Sequence, residues 1–171
     1  LDTWGANDYS VKTQSGAFPN RATSLLISPP SCTGMNLLAQ ANFNNLVYIQ
    51  NQTTLSTVAT LTAHNGVVNG IAWSPDCAYF ASASSDRTVL VWYTSNWTVA
   101  ANLTEHSNSV YAVAFLPDST LVATGGADSN LRVWNLTALP PTLDWNVSDQ
   151  NVAVHALAYS QDGLTLVSGA D

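Results

Sequence analysis

The 171-residue chain repeats itself at intervals of 42 to 46 residues, and that recurrence limits what it can fold into more than any other property. Four segments lie over one another: ATSLLISPPSC from Ala22, NGIAWSPDC from Asn69, YAVAFLPDS from Tyr111 and HALAYSQDG from His155. Their anchor residues Ile27, Trp73, Phe115 and Tyr159 are 46, 42 and 44 apart. A second phase repeats with them, in which Leu1-Asp-Thr-Trp4, Leu46-Val-Tyr-Ile49, Val89-Leu-Val-Trp92 and Leu131-Arg-Val-Trp134 share one pattern. A unit of this size cannot bury its apolar face alone, so successive units must stack on one another.

Each unit reads as four short strands. The first, Val68 to Trp73 or Val110 to Phe115, alternates bulky with small residues, as an innermost strand crowded on both faces requires. Ser74-Pro75-Asp76 and Leu116-Pro117-Asp118 then break the ladder, since Pro lacks a donor and Asp bonds its own backbone. The second strand, Tyr79 to Ser84 or Leu121 to Gly126, is small and apolar; the third carries Trp92 or Trp134; the fourth, Leu55 to Leu61 or Thr98 to Leu103, is more polar and outermost. Short strands at a period of about 40–45 residues predict an all-β fold of propeller blades, each of four antiparallel strands. Residues 1–21 read as the third and fourth strands of a first blade, 22–60, 61–102 and 103–145 as successive repeats, and 146–171 as the first two strands of a last blade. Such a set of blades is incomplete, closes as a small ring, or is completed by strand exchange between copies.

Charge excludes several classes of function. With four Lys plus Arg against eleven Asp plus Glu, the net charge of −7 repels nucleic acid and anionic bilayers alike, and no apolar run approaches the roughly 18 residues of a membrane span. The expected partners are proteins, copies of the chain itself among them. No cofactor or metal is expected, because no phosphate-cradling glycine loop or ligand spacing occurs. Five sequons, at Asn51, Asn96, Asn102, Asn135 and Asn146, are candidate N-glycosylation sites. Their number says little, because 16 Asn and 36 Ser plus Thr give roughly three by chance. Their placement near the third and fourth strands says more, since a glycan there projects into solvent. Cys32 and Cys77 occupy the same turn of successive units, where a disulfide would staple neighbouring blades; two free thiols in a reducing compartment are the other reading. Scarce lysine and the sequons favour an extracellular or lumenal location, with a cytoplasmic one as the alternative.

The strings from Leu61-Thr-Ala-His64 through Trp92 and from Leu103-Thr-Glu-His106 through Trp134 resemble WD repeats. The resemblance implies β-propeller blades in which a loop His, a hydroxyl on the second strand, a turn Asp and the third-strand Trp are hydrogen-bonded. Here these are His64, Ser82, Asp86 and Trp92, and again His106, Thr124, Asp128 and Trp134. The repeat from Ala22 has Ala39 and Phe43 where hydroxyl and Asp are expected, and Tyr93 and Asn135 replace the Asp that follows Trp in the family. A Ser–His–Asp cluster invites comparison with a hydrolase triad, but its recurrence in two units points to structure rather than to an enzyme. The resemblance also implies that partners bind on the rim made by the loops before the first strand and after the second. That rim comprises Val67, Asn69, Ser85, Ser109, Tyr111, Ala127, Ala153, His155 and Asp171, with Tyr111 and His155 as the leading anchors. The functional expectation is a non-enzymatic interaction scaffold; the alternative is a structural subunit of an extracellular glycosylated filament joined by half-blade strand exchange.

Overall fold

A computed structural model describes residues 21–138, 140–148 and 152–170. Among these residues fourteen strands form three four-stranded antiparallel sheets and one hairpin. The first sheet holds β1 (Ala22–Ile27), β2 (Leu37–Asn42), β3 (Val47–Asn51) and β4 (Thr57–Leu61) in sequential order. The second holds β5 (Val68–Trp73), β6 (Tyr79–Ser84), β7 (Val89–Tyr93) and β8 (Val99–Leu103), and the third β9 (Val110–Phe115), β10 (Leu121–Gly126), β11 (Leu131–Asn135) and β12 (Thr142–Val147). The hairpin pairs β13 (Val154–Tyr159) with β14 (Leu166–Ala170). The innermost strands β1, β5, β9 and β13 pack successively against one another, so the sheets are the blades of a β-propeller segment.

Composition dictates how the blades meet. One face of each blade is small and the opposing face of the next is bulky: Ala39, Ala41, Val47 and Ile49 receive Ile71, Trp73, Phe80 and Trp92. Ala81, Ala83, Val89 and Val91 receive Val113, Phe115, Val122 and Trp134 in the same way. Alanines on the second strand let the sheets approach, and the aromatic rings fill the space with apolar area worth roughly 25 cal/mol per Å2 buried. Trp73 lies edge-on to Phe80 at 4.8 Å between ring centroids, a favoured aromatic geometry.

Three expectations need correction, two of them in the first blade alone. Ser82 pairs with Leu90, and at the same register Gln40 pairs with Tyr48, so the residues in the hydroxyl and Asp positions are Gln40 and Asn44, not Ala39 and Phe43. Likewise Val47 to Gln50, not Leu46 to Ile49, superposes on Val89 to Trp92. The cause is a first turn of residues 28–36, four longer than residues 74–78 in the next blade. The fourth strands also start later than expected, because Leu55 adopts a left-handed conformation (φ 58°) that completes the preceding turn. The proposed strands at Leu1 to Trp4 and Tyr9 to Ser15, together with Asp171, lie outside the described residues.

Candidate functional site

Two buried hydrogen-bond chains recur in the second and third blades. Trp92 Nε1 donates to Ser82 Oγ at 2.9 Å, Ser82 Oγ lies 2.8 Å from His64 Nε2, and His64 Nδ1 lies 2.8 Å from Asp86 Oδ2. In the next blade Trp134 Nε1 donates to Thr124 Oγ1 at 3.0 Å, which lies 2.8 Å from His106 Nε2, and His106 Nδ1 lies 3.0 Å from Asp128 Oδ1. In each chain the hydroxyl accepts from the indole and the imidazole bridges hydroxyl and carboxylate, and in the third blade Arg132 Nη1 also lies 2.8 Å from His106 Nδ1. Asp86 also accepts from the backbone of Asn65 and Thr88 and from the Thr88 hydroxyl, so its loops are tied to the blade. Ser82 and Thr124 are fully buried, and their oxygens are pinned by tryptophan. A nucleophile must be open to its substrate, and these hydroxyls are closed off from solvent despite the Ser–His–Asp composition of the clusters.

The two chains differ electrostatically. Arg132 stands where the second blade has Leu90 and donates from Nη1 to Asp128 Oδ2 at 2.9 Å, making a buried ion pair. Burial pushes the Asp128 carboxyl up, but hydrogen bonds from His106, the Ser107 backbone and Arg132, with the attraction of His106, hold it well below the usual carboxylate value. Burial lowers His106 below its ordinary value despite the Asp128 carboxylate, and the nearby Arg132 acts in the same direction. For Asp86, burial again opposes, while Thr88, the Asn65 backbone and His64 bring the net shift downward.

On the rim, a feature invisible in the sequence organises the expected residues. In every innermost strand the pairing register slips by one residue near its start: Val68 pairs with Ser84 but Gly70 with Ala83, leaving Asn69 as the extra residue. Tyr111 is bulged in the same way in β9, His155 in β13 and Thr23 in β1. A β-bulge re-aims the side chain of its extra residue, and those of Thr23, Asn69 and Tyr111 reach toward the next blade. Thr23 Oγ1 donates to Val68 O, and Asn69 Nδ2 donates to Val110 O at 2.8 Å and to Ser85 Oγ at 3.0 Å. The rings of Tyr111 and His155 stack with centroids 4.8 Å apart and planes 8° apart. Thr23, Asn69, Tyr111 and His155 thus form one row across four blades, flanked by Ser85 and Ala127. Thr23 was not among the expected rim residues, although its place four before the anchor Ile27 matches that of Asn69 before Trp73.

Away from the rim, Cys32 and Cys77 form a disulfide joining the turns after β1 and β5. The five sequon asparagines divide into two kinds. Asn51, Asn96 and Asn135 shape turns: their Oδ1 atoms accept from the backbone N–H of Thr53, Thr98 and Thr137, and for the latter two also from the threonine hydroxyl. Asn102 and Asn146 stand exposed on the outermost strands β8 and β12, paired with Leu90 and Arg132. Among the described residues there is no group of His, Cys, Asp and Glu able to hold a metal ion, and no helix long and apolar enough to cross a membrane.

Blades of this order carrying a Trp–hydroxyl–His–Asp chain define the WD-repeat class of β-propeller. The family described as WD domain, G-beta repeat matches residues 55–93 and 97–135, so these two segments are WD repeats. It is similar to Protein HIR1 of Cryptococcus neoformans var. neoformans serotype D, 34% identical over 62 residues, which is 36% of this chain and 7% of that protein. The 66 kDa stress protein of Physarum polycephalum is 40% identical over 63 residues, covering 36% of this chain and 10% of its own length. DDB1- and CUL4-associated factor 13 of Dictyostelium discoideum is 32% identical over 60 residues, or 35% of this chain and 14% of the relative. The matched stretches therefore span a small part of each of these relatives.

Proposed function

We propose that the chain is a non-enzymatic scaffold that holds protein partners on the inner rim of its blades, with Tyr111 and His155 as principal anchors. The observation that carries this reading is the row of bulged residues. A bulge spends a position of the ladder on a side chain aimed out of the sheet, and here that position varies, Thr23, Asn69, Tyr111, His155, while the strands around it keep one pattern. An aromatic pair gives a partner a large, rigid contact at low conformational cost, and neighbouring Asn69 and Ser85 supply polar groups for register. The net charge of −7 favours partners with basic surfaces over nucleic acid. Among the relatives, one is named for its association with DDB1 and CUL4, which fits a partner-holding role. The filament alternative finds no support among the relatives.

Site-specific photocrosslinking tests the reading. A photoreactive residue at position 155 or 111 is expected to trap a protein partner in the native source, whereas one at position 58 or 143 on the outermost strands is not. Crosslinking confined to the outer positions would move the docking surface away from the rim and overturn the assignment. Tyr111→Ala and His155→Ala are expected to lose most partner capture, while stability falls only by the loss of their stack, about 0.5–1.5 kcal/mol.

A further inference from the structure

We propose that Asn102 and Asn146 carry N-linked glycans and that the protein matures in an oxidising secretory lumen. Three of the five sequons have a local explanation, since Asn51, Asn96 and Asn135 turn their Oδ1 atoms inward to close the hairpins that follow the third strands. Turn formation accounts for an asparagine followed by threonine at those places without any glycan. It does not account for Asn102 and Asn146. Both lie within a strand, where asparagine is disfavoured. Both are exposed, and neither side chain makes a hydrogen bond to another described residue. They also occupy the same register position in successive blades, opposite Leu90 and Arg132 on the neighbouring third strands. Each is followed two residues later by the required hydroxyl, Thr104 or Ser148, itself exposed.

Space and compartment agree with this. Beside Asn102 the surface is hollowed by about 480 Å3, lined by Asn65, Arg87 and Thr88, which offer donors and acceptors to the first sugar. Asn146 sits on the outermost strand of its blade, so a glycan there meets solvent. The independent observation is the Cys32–Cys77 disulfide. Such bonds form and persist in oxidising compartments, where N-glycosylation also takes place, and are rare in reducing ones. In the transfer, Nδ2 of the asparagine forms a bond to the anomeric carbon of a lipid-diphosphate-linked oligosaccharide. The bond from that carbon to the diphosphate oxygen breaks, the lipid diphosphate leaves, one amide proton passes to solvent, and no oxidation state changes. Neither glycan lies on the row of bulged residues, so the partner-binding reading stands or falls separately.

The test is peptide mapping of the protein from its natural source, alkylated without reductant and then treated with a peptide N-glycosidase. The expected result is conversion of Asn102 and Asn146 to Asp on deglycosylation, with Cys32 and Cys77 unalkylated until reduced. Recovery of both peptides as unmodified asparagine, or alkylation of both thiols before reduction, overturns the proposal. Thr104→Ala and Ser148→Ala keep the asparagines but remove the acceptor hydroxyls. Secreted from a eukaryotic host, each is expected to lose one glycan while Thr104→Ser keeps its own. A glycan number unchanged by both alanine variants overturns the assignment to these residues.

Discussion

At the scale of single residues, the two buried chains look alike and respond differently to the same change. In Asp86→Asn the amide still fills the site, and no cationic side chain loses a partner; the expected cost is about 1–3 kcal/mol. In Asp128→Asn the Arg132 guanidinium, buried and with its Nε already lacking a partner among the described residues, loses the carboxylate that compensates it, at an expected cost of about 3–5 kcal/mol. Urea denaturation of the two variants measures the difference, and equal costs would show that Arg132 contributes nothing. The same groups set the response to acid. An unfolded histidine takes up a proton near its ordinary 6.5, while burial holds the folded His106 below that value, so stability begins to fall as pH drops through 6.5. Asp86 and Asp128 have folded values below the ordinary 3.8, so their contribution is fully present above that pH and is lost as pH falls through the folded values. Denaturation midpoints between pH 8 and pH 2 are expected to show two declines, one beginning near 6.5 and one below 3.8, the first of which is much reduced in His106→Gln.

At the scale of strands, what positions the rim is the close approach of neighbouring inner strands. A Cβ on Gly70, immediately after the bulged Asn69, would come within 2.5 Å of Tyr111 O in the next blade, and a backbone carbonyl cannot swing aside as a side chain can. Gly70→Ala is therefore expected to cost about 2–4 kcal/mol and to disturb the Tyr111–His155 stack. Gly34 provides the contrast, because its φ of 87° disfavours alanine but nothing lies within 4 Å of the added carbon, so only about 1–2 kcal/mol is expected. Thermal melts of the two variants, with histidine chemical shifts as a local probe, check both. The inner and second strands of the second and third blades are legible in the sequence, because Pro-Asp turns bound them and three spacings recur twice. The residues of the hydrogen-bond chains came from the resemblance to WD repeats, whose His, hydroxyl, Asp and Trp positions recur here at the same offsets. In the first blade the four extra turn residues hide the register, and a polar pair replaces the chain, Gln40 Nε2 donating to Asn42 Oδ1 at 2.9 Å. The bulges left no mark in the sequence, because a bulge is a property of pairing between strands, and no residue type at Thr23, Asn69, Tyr111 or His155 announces it.

At the scale of the whole molecule, the blades are held unequally. The second and third each have a Trp–hydroxyl–His–Asp chain fastening their loops, whereas the first has Gln40 and Asn42 and relies on its neighbour. What fastens it to that neighbour is the alanine-lined face that takes Trp73 and Phe80, the hydrogen bond from Thr23 to Val68 O, and the Cys32–Cys77 disulfide, closing a loop across 45 residues. In the chain-entropy account a loop of that size contributes about 4 kcal/mol, most of it by restricting the unfolded chain. Cys32→Ser with Cys77→Ser is therefore expected to lower overall stability by about 3–4 kcal/mol. The consequence is also local, since a blade without its own fastening draws on the staple more than its neighbours do. Amide hydrogen exchange of the oxidised and reduced protein resolves this. Reduction is expected to speed exchange in β2 and β3 of the first blade well before β10 and β11 of the third, and a uniform increase through all blades would instead make the disulfide a brace of the whole segment.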